Sequence, residues 1–204
     1  MYFMKNAIPI FLLIALASCR NQDSNPNESD TLSRGESIKN QPFYPMTQYI
    51  EDQIAYVDTT PLAIEKITFI NNKKVDSVVI DRLAFRVLAA EFLKPDLNDK
   101  RIKPLYTESI YQDLTINSIT FNYTTKDRSQ ELQQADILLN PENNRVKSII
   151  FRKNRMAGDT AISINGLWKH NMNFQLNYSI RQANGTSETK QIKVIWDRPV
   201  LNDF

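Results

Sequence analysis

The chain has 204 residues, of which 25 are Lys or Arg and 23 are Asp or Glu, so its formal net charge is only +2. This near balance leaves no basic footprint for nucleic acid and no strong charge-driven attraction to anionic lipid. A single cysteine, Cys19, allows no disulfide within the chain and no cysteine-based metal centre. The length suits one ordinary domain that is stabilised by its apolar core alone.

The N-terminal segment joins an apolar run to that lone cysteine. Residues 7–17 are apolar with Pro9 as the only interruption, which is typical of a signal peptide and too short for a bilayer core of about 30 Å. The sequence Leu16-Ala17-Ser18-Cys19 resembles the lipobox of bacterial lipoproteins. The resemblance covers about the first 20 residues and implies a signal peptide at 1–18 and a lipidated Cys19. The alternative is an ordinary signal peptide that contains a cysteine.

A polar segment follows the cysteine. Residues 20–42 contain only Leu32 and Ile38 as large apolar side chains, so burial cannot offset the entropy of ordering them. We therefore expect a flexible tether at 19–42 and a single globular domain at 43–204. Within the tether, Asp30-Thr31-Leu32 resembles the Asp-Ser/Thr-apolar O-glycosylation motif of Bacteroidota-type secreted proteins, and Thr31 is the candidate acceptor.

Two helices and a hairpin are predicted at the start of the domain. Between Pro45 and Thr60, apolar residues recur at helical spacing, namely Met46, Tyr49, Ile50, Ile54 and Val57. The runs "AIEKITFI" and "KVDSVVI" then flank Asn71-Asn72, which predicts a β-hairpin. A second helix, "RLAFRVLAAEFL", follows Asp81 as its cap and ends before Pro95. Its apolar residues cover much of its circumference, so we expect it to be the more buried helix.

The second half of the domain has a period of two. Six strands are predicted, around residues 118–123, "QQADILL", "RVKSIIF", "AISINGLW", residues 174–180 and residues 192–196. Turn residues separate them, including Ala157-Gly158-Asp159 and Asn184-Gly185. The prediction is an α+β fold in which an antiparallel meander of about six strands packs against two helices, with an extra N-terminal β-hairpin. Trp168 and Trp196 lie on the apolar phase and are expected in the core.

The domain also resembles a known group of proteins. The segments Pro42-Phe43-Tyr44-Pro45, "DSVVIDRLAFRVLAAEFLKPDL" and "KQIKVIWD" are similar to those of uncharacterised envelope lipoproteins of Bacteroidota-type bacteria. The likeness covers most of the chain. It implies the location and the fold, and it implies nothing about chemistry.

Residues suited to catalysis are sparse. His170 is the single histidine and has no second His or free Cys near it, so we interpret it as a solvated hairpin residue. No Gly-x-Ser-x-Gly elbow and no phosphate-cradling loop occur. We therefore expect no catalytic residue, no metal site and no cofactor. The carboxylate pairs Asp96 with Asp99 and Asp76 with Asp81 keep a glycan or cell-wall hydrolase open as an alternative.

The densest basic stretch is a candidate partner site. It lies at residues 145–155 and contains Arg145, Lys147, Arg152, Lys153 and Arg155. These side chains could meet an acidic glycan or a partner protein. The competing interpretation is a solvated strand end whose charges block edge-to-edge pairing.

Together these features predict a non-enzymatic binding protein of the bacterial cell envelope. We expect a monomer that is attached through the lipid on Cys19, at the outer membrane and with the leaflet left open, and that binds an envelope protein or glycan and no nucleic acid. A third alternative is a lipid or lipoprotein carrier, whose cavity would be lined by residues such as Phe121, Tyr178 and Trp196.

Overall fold

The computed structural model describes residues 41–197, in which one antiparallel sheet carries two helices on one face. The helices are α1 (Met46–Thr59) and α2 (Arg82–Ala89), and short 3₁₀ turns occupy Ala90–Phe92 and Lys103–Leu105. The strands are β1 (Ile64–Ile70), β2 (Lys73–Ile80), β3 (Thr107–Asp113), β4 (Ser118–Thr124), β5 (Leu132–Leu139), β6 (Val146–Ala157), β7 (Thr160–Lys169), β8 (Asn173–Arg181) and β9 (Ser187–Ile195).

The sheet has nine strands in the order β2-β1-β9-β8-β7-β6-β5-β4-β3, and every neighbouring pair is antiparallel. The α+β class and the antiparallel sheet are confirmed. The count of about six strands is wrong for two reasons. The sequence analysis missed β3, and β1 and β2 are not an extra element, because β1 pairs with β9 and continues the same sheet.

Strand β3, which was not predicted, lies at the edge of the sheet and exposes both of its faces to solvent. In β3 every residue before Asp113 is exposed, so its sequence "TESIYQD" has no apolar phase from which a strand could be inferred. A period-two pattern marks a strand only where one face is buried. The other six strands of the meander each bury one face and follow that pattern.

An aromatic cluster fills the space between the helices and the sheet. Trp168 and Phe174 from neighbouring strands stack at 5.1 Å between ring centroids. Phe85 of α2 lies 5.4 Å from Trp196, and Phe92 lies 4.9 Å from Phe151. All six rings are at most 4% exposed, which makes this cluster the centre of the core. The expectation that Trp168 and Trp196 belong to the core is met.

The two helices differ in burial, in the opposite sense to the prediction. Helix α1 buries Met46, Ile50 and Val57, whereas α2 begins at its Asp81 cap and leaves Leu83 and Val87 69% and 67% exposed. Helix α2 is only eight residues long and buries only Phe85 and Ala89, so the apolar side chains on its other side are exposed to solvent. Among residues 41–197, no helix is long and apolar enough to cross a membrane.

Candidate binding face

The sheet has one face without helices, which we call the open face. Successive side chains of a strand point to opposite faces, so every second residue of each strand lies there. The strand register places polar side chains side by side across it. The central members are Asn122, Gln134, Asp136, Arg152, Asn165, Gln175, Asn177, Gln191 and Lys193.

Amide and carboxylate groups on the open face bond to each other across strands. Gln191 Nε2 donates to Asn177 Oδ1 at 2.7 Å and approaches Gln175 Oε1 at 3.4 Å. On the other side of the face, Asn122 and Gln134 both donate to the Asp136 carboxylate, at 2.5 and 2.8 Å. The bonds of Gln191 and Asn122 join neighbouring strands, whereas Gln134 and Asp136 belong to the same strand, β5.

Several apolar side chains share the open face with these polar groups, including Leu138, Ile67 and Phe69 away from its centre and a pair at the centre. Ile150 of β6 is paired in register with Leu167 of β7, and Ile150 is 38% exposed. Both point to the open face, because their neighbours Ile149 and Trp168 point into the core. An apolar centre with a polar surround is the general arrangement of a protein interface.

The residue choice on this face is unusual for a strand. Asn and Asp are depleted in strands, whereas Thr is enriched there. Each side-chain amide offers two donor hydrogens and an acceptor oxygen, so a row of amides can bond to both the N–H and the C=O groups of a peptide. The arrangement suits non-covalent binding.

The sequence contained a signal for this face that we did not use. The polar phases of β4 and β8, Ser-Thr-Asn at 118–122 and Gln-Asn-Ser at 175–179, were treated only as evidence for strands. The amides Asn122, Gln175 and Asn177 in these phases are the signal, because Asn is uncommon in strands.

The basic stretch does not form one patch. Arg152 points to the open face, whereas Lys153 points to the helices and is 3% exposed. Lys147 Nζ donates to the backbone oxygens of Ile116 and Asn117 in the β3–β4 turn. Arg145 precedes β6 and is exposed. Alternation along β6 thus sends the five side chains of the predicted partner site in different directions.

Lys153 and Arg155 converge on one carboxylate instead. Lys153 Nζ donates to the backbone oxygen of Glu91 and lies 3.5 Å from its carboxylate. Arg155 Nη1 lies 3.2 Å from the same carboxylate and 3.5 Å from that of Glu131. Burial lowers the pKa of the Lys153 ammonium, and Glu91 opposes that shift. This cluster joins the turn after α2 to β6 and is structural.

Removing the Glu91 carboxylate should destabilise the fold more than removing the buried Lys153 ammonium. We expect Glu91→Gln to lower the free energy of unfolding by about 2 kcal/mol, because it leaves the buried ammonium of Lys153 without its counter-charge. Lys153→Met should change it by less than about 1 kcal/mol, since it also removes the desolvation cost. Urea unfolding of both variants measures the difference, and equal losses would contradict this account.

His170 is not the fully solvated residue that the sequence predicted. It is half-buried under α1, where its Nδ1 lies 2.7 Å from the hydroxyl of Tyr49. Next to it, the Gln53 amide bonds to Asn171 through both of its atoms, at 2.8 and 2.9 Å. The tight β7–β8 turn is thereby tied to α1. Burial lowers the pKa of His170, and the nearby charge of Arg145 lowers it further.

The partial burial of His170 makes the stability of the fold depend on pH. Since the pKa of His170 is lower in the folded chain than its ordinary value of 6.5, the contribution is present above about pH 6.5. It is lost as the pH falls through the folded pKa. We expect acidification from about pH 7.5 to 5.5 to lower the melting temperature by more in the native chain than in His170→Gln. At neutral pH, His170→Ala should cost about 1 kcal/mol.

Tyr49→Phe is the matched control for this prediction. It removes the hydroxyl partner and leaves the imidazole, so it should lose stability at neutral pH but keep some of the acid dependence. A His170→Gln variant with the same acid dependence as the native chain would place the titration elsewhere.

The candidate catalytic carboxylates have structural partners. Asp81 accepts from the backbone nitrogen of Ala84, and Asp76 lies 3.4 Å from the ammonium of Lys66. Asp96 accepts from the backbone nitrogen of Asn98, and the Arg101 guanidinium holds the pKa of Asp99 low. Each of these four carboxylates, all within residues 41–197, therefore has a partner that accounts for it structurally. Within that range, no three metal-ligating side chains come together.

The three side chains expected to line the cavity of a lipid carrier have neighbours in the fold. Trp196 is 4% exposed and packs on Phe85, and Phe121 packs on Tyr44. Burial raises the pKa of Tyr178 to about 12, as expected for a hydroxyl held inside the fold. The three residues proposed to line a cavity therefore pack against other side chains of the core.

Cys19 and Thr31, the predicted lipidation and glycosylation sites, lie outside the described residues. No protein-family model, curated protein or solved structure matches the chain.

Proposed function

We propose that the chain is a lipid-anchored protein of the bacterial cell envelope whose domain binds a partner protein through the open face. Cys19 would carry the acyl chains, and the tether at 19–42 would give the domain reach from the membrane surface. The outer membrane is the expected location. No catalytic step is part of this function.

The observation that carries the binding proposal is the open face itself. Hydrogen-bonded amides and carboxylates surround Ile150 and Leu167 there, and the face is not covered by another part of residues 41–197. An apolar contact at the centre supplies affinity, and the surrounding amides supply direction and register. The aromatic rings on this face, Phe69 and Tyr111, lie towards its two sides and not at its centre, which favours a protein over a glycan, since sugars commonly stack on aromatic side chains.

The anchor is tested by metabolic labelling. Cells that express the native chain should incorporate labelled palmitate into it, and Cys19→Ala should abolish the label and leave the precursor unprocessed. Labelling of Cys19→Ala would show that the lipobox interpretation is wrong.

The face is tested by a matched pair of substitutions. Ile150→Asp places a charge at the centre of the open face, while Leu114→Asp makes the same kind of change at a side chain that is 81% exposed in the β3–β4 turn. After crosslinking in intact cells, Ile150→Asp should lose the partner that the native chain and Leu114→Asp retain. Retention by both folded variants would contradict the proposal.

A further inference from the structure

The part of the open face formed by β6, β7, β8 and β9 carries cations and no carboxylate. Its side chains alternate with the buried residues of these strands, such as Phe151, Trp168, Leu176 and Val194. Four of them are basic, one from each strand, namely Arg152, Lys169, Arg181 and Lys193. The one acidic residue within the four strands is Glu188, which is paired with Ile180 on the helix side of the sheet. A chain whose charges nearly balance thus has a positive area on its open face.

This positive charge is not neutralised within the domain. The side chains of the four cations form no hydrogen bond or ion pair with any other residue between 41 and 197. The carboxylates that border the area on the neighbouring strands already have partners. Asp136 of β5 accepts from Asn122 and Gln134, and Glu65 of β1 accepts from Ser77 at 2.8 Å. An uncompensated area of one sign attracts a ligand of the opposite sign.

Three of the cations surround the apolar pair at the centre of the open face, Ile150 and Leu167. Arg152 follows Ile150 by two residues along β6, and Lys169 follows Leu167 by two residues along β7, so each lies about 7 Å along its strand from the pair. Because the two strands are antiparallel, these cations lie on opposite sides of the pair. Lys193 lies in the same cross-strand row as Leu167, two strands or about 10 Å away. We call these three cations the cation ring.

The spacing of the ring requires an extended ligand. Arg152 is paired with Asn165, four residues from Lys169, so the two cations are roughly 14 Å apart along the strands and one anionic group cannot contact both. In an extended chain, the residues two before and two after a given residue point in the same direction as it does, about 7 Å to either side. Carboxylates at those two positions would reach Arg152 and Lys169 when the residue between them contacts the apolar pair.

We propose that the segment of the partner protein that covers this part of the open face is extended and acidic. An aliphatic side chain of the segment packs on Ile150 and Leu167, and Asp or Glu residues two positions to either side pair with the cation ring. The inference rests on the proposed binding of a protein to the open face and adds the chemistry of its partner. Of the five basic residues that the sequence grouped as a partner site, only Arg152 takes part.

Photo-crosslinking of charge variants in intact cells tests the proposal with the full-length chain. A photoreactive residue at Asn165 lies beside the apolar pair, and the ring variant carries Arg152→Gln, Lys169→Gln and Lys193→Gln. The yield of the crosslinked product should fall about tenfold in the ring variant, because three exposed ion pairs are lost. The partner peptide attached to the native chain, sequenced by mass spectrometry, should have Asp or Glu on both sides of an aliphatic residue.

The matched control removes the same charge outside the open face. Lys73, Lys94 and Lys100 are exposed; Lys73 is paired with Ile70 on the helix side of β1, and the other two lie between α2 and β3. Their joint substitution by Gln should leave the yield within about twofold of the native chain. An undiminished yield in the ring variant, an equal loss in the control, or a neutral or basic partner peptide would overturn this inference and leave protein binding to the open face standing. A glycan or lipid product, or no product from the native chain, would overturn both.

Binding of a synthetic peptide to the purified full-length chain gives an independent measurement. The probe is a fluorescent peptide with a central leucine and an aspartate two residues to either side, and the comparison peptide has asparagine at both positions. The native chain should bind the aspartate peptide about fivefold more tightly, and the ring variant should bind the two equally. The difference should shrink at about 0.5 M salt, since screening weakens exposed ion pairs. Equal binding of both peptides by the native chain, or no binding of the aspartate peptide, would overturn the proposal.

Discussion

Phe85→Ala is expected to lower the free energy of unfolding by about 4 kcal/mol, the usual cost of removing a buried aromatic ring. Phe85 is fully buried, and its ring is the contribution of α2 to the aromatic cluster. It lies within 5.7 Å of both Trp196 and Phe174, measured between centroids. The neighbouring rings are held by the sheet and by the 3₁₀ turn that contains Phe92, so they cannot fill the space and a cavity remains beneath the helix.

Val87→Ala is the control on the same helix. Val87 is 67% exposed, so its truncation should change stability by less than about 0.5 kcal/mol. Denaturant unfolding followed by tryptophan fluorescence measures both variants. A loss below about 1.5 kcal/mol for Phe85→Ala would mean that α2 does not close the core as described.

Gly166→Ala should lower the free energy of unfolding by about 3 kcal/mol, because it adds an atom where the core has no room for one. Gly166 lies opposite Phe151 in the sheet, and a Cβ atom at this position would lie 2.7 Å from Phe151 Cδ1 and closer still to Cε1 and Cζ. Phe151 is 2% exposed and packs on Phe92, so its ring has no free space into which it can move.

The double variant Gly166→Ala with Phe151→Leu identifies the cause. Leu lacks the outer ring atoms, so the second substitution should cost less in the Gly166→Ala background than in the native chain. Asn165→Ala, one residue away on the open face, should have an effect of less than about 0.5 kcal/mol. Strictly additive losses would show that the ring is not the obstacle.

The alternation of apolar residues made the meander strands from β4 to β9 predictable. The helical spacing of apolar residues made α1 predictable, and the Asp81 cap marked the start of α2. Strand β3 was not predictable, because neither of its faces is buried. The pairing of β1 with β9 depends on contacts between chain ends that no local pattern encodes. Lys153 sits on the apolar phase set by Ile149 and Phe151, and its partner Glu91 is 62 residues away.

In the candidate site, too, some features could be predicted from local sequence and others depend on contacts between distant residues. The positions on the open face follow from the strand period, and the amide composition was visible in the sequence. The network among them was not, because it depends on the register of strands that only the fold brings together. His170 was judged from its turn, whereas its environment is set by Tyr49, which is 121 residues away.

Photo-crosslinking from the open face tests the central claim most directly. A photoreactive residue is placed at Asn165, an exposed position on the open face, and separately at Leu114 in the β3–β4 turn, and intact cells are irradiated. The account predicts a specific crosslinked product with another protein from position 165 and none from position 114. The same products from both positions, or no product from position 165, would contradict a partner-binding open face.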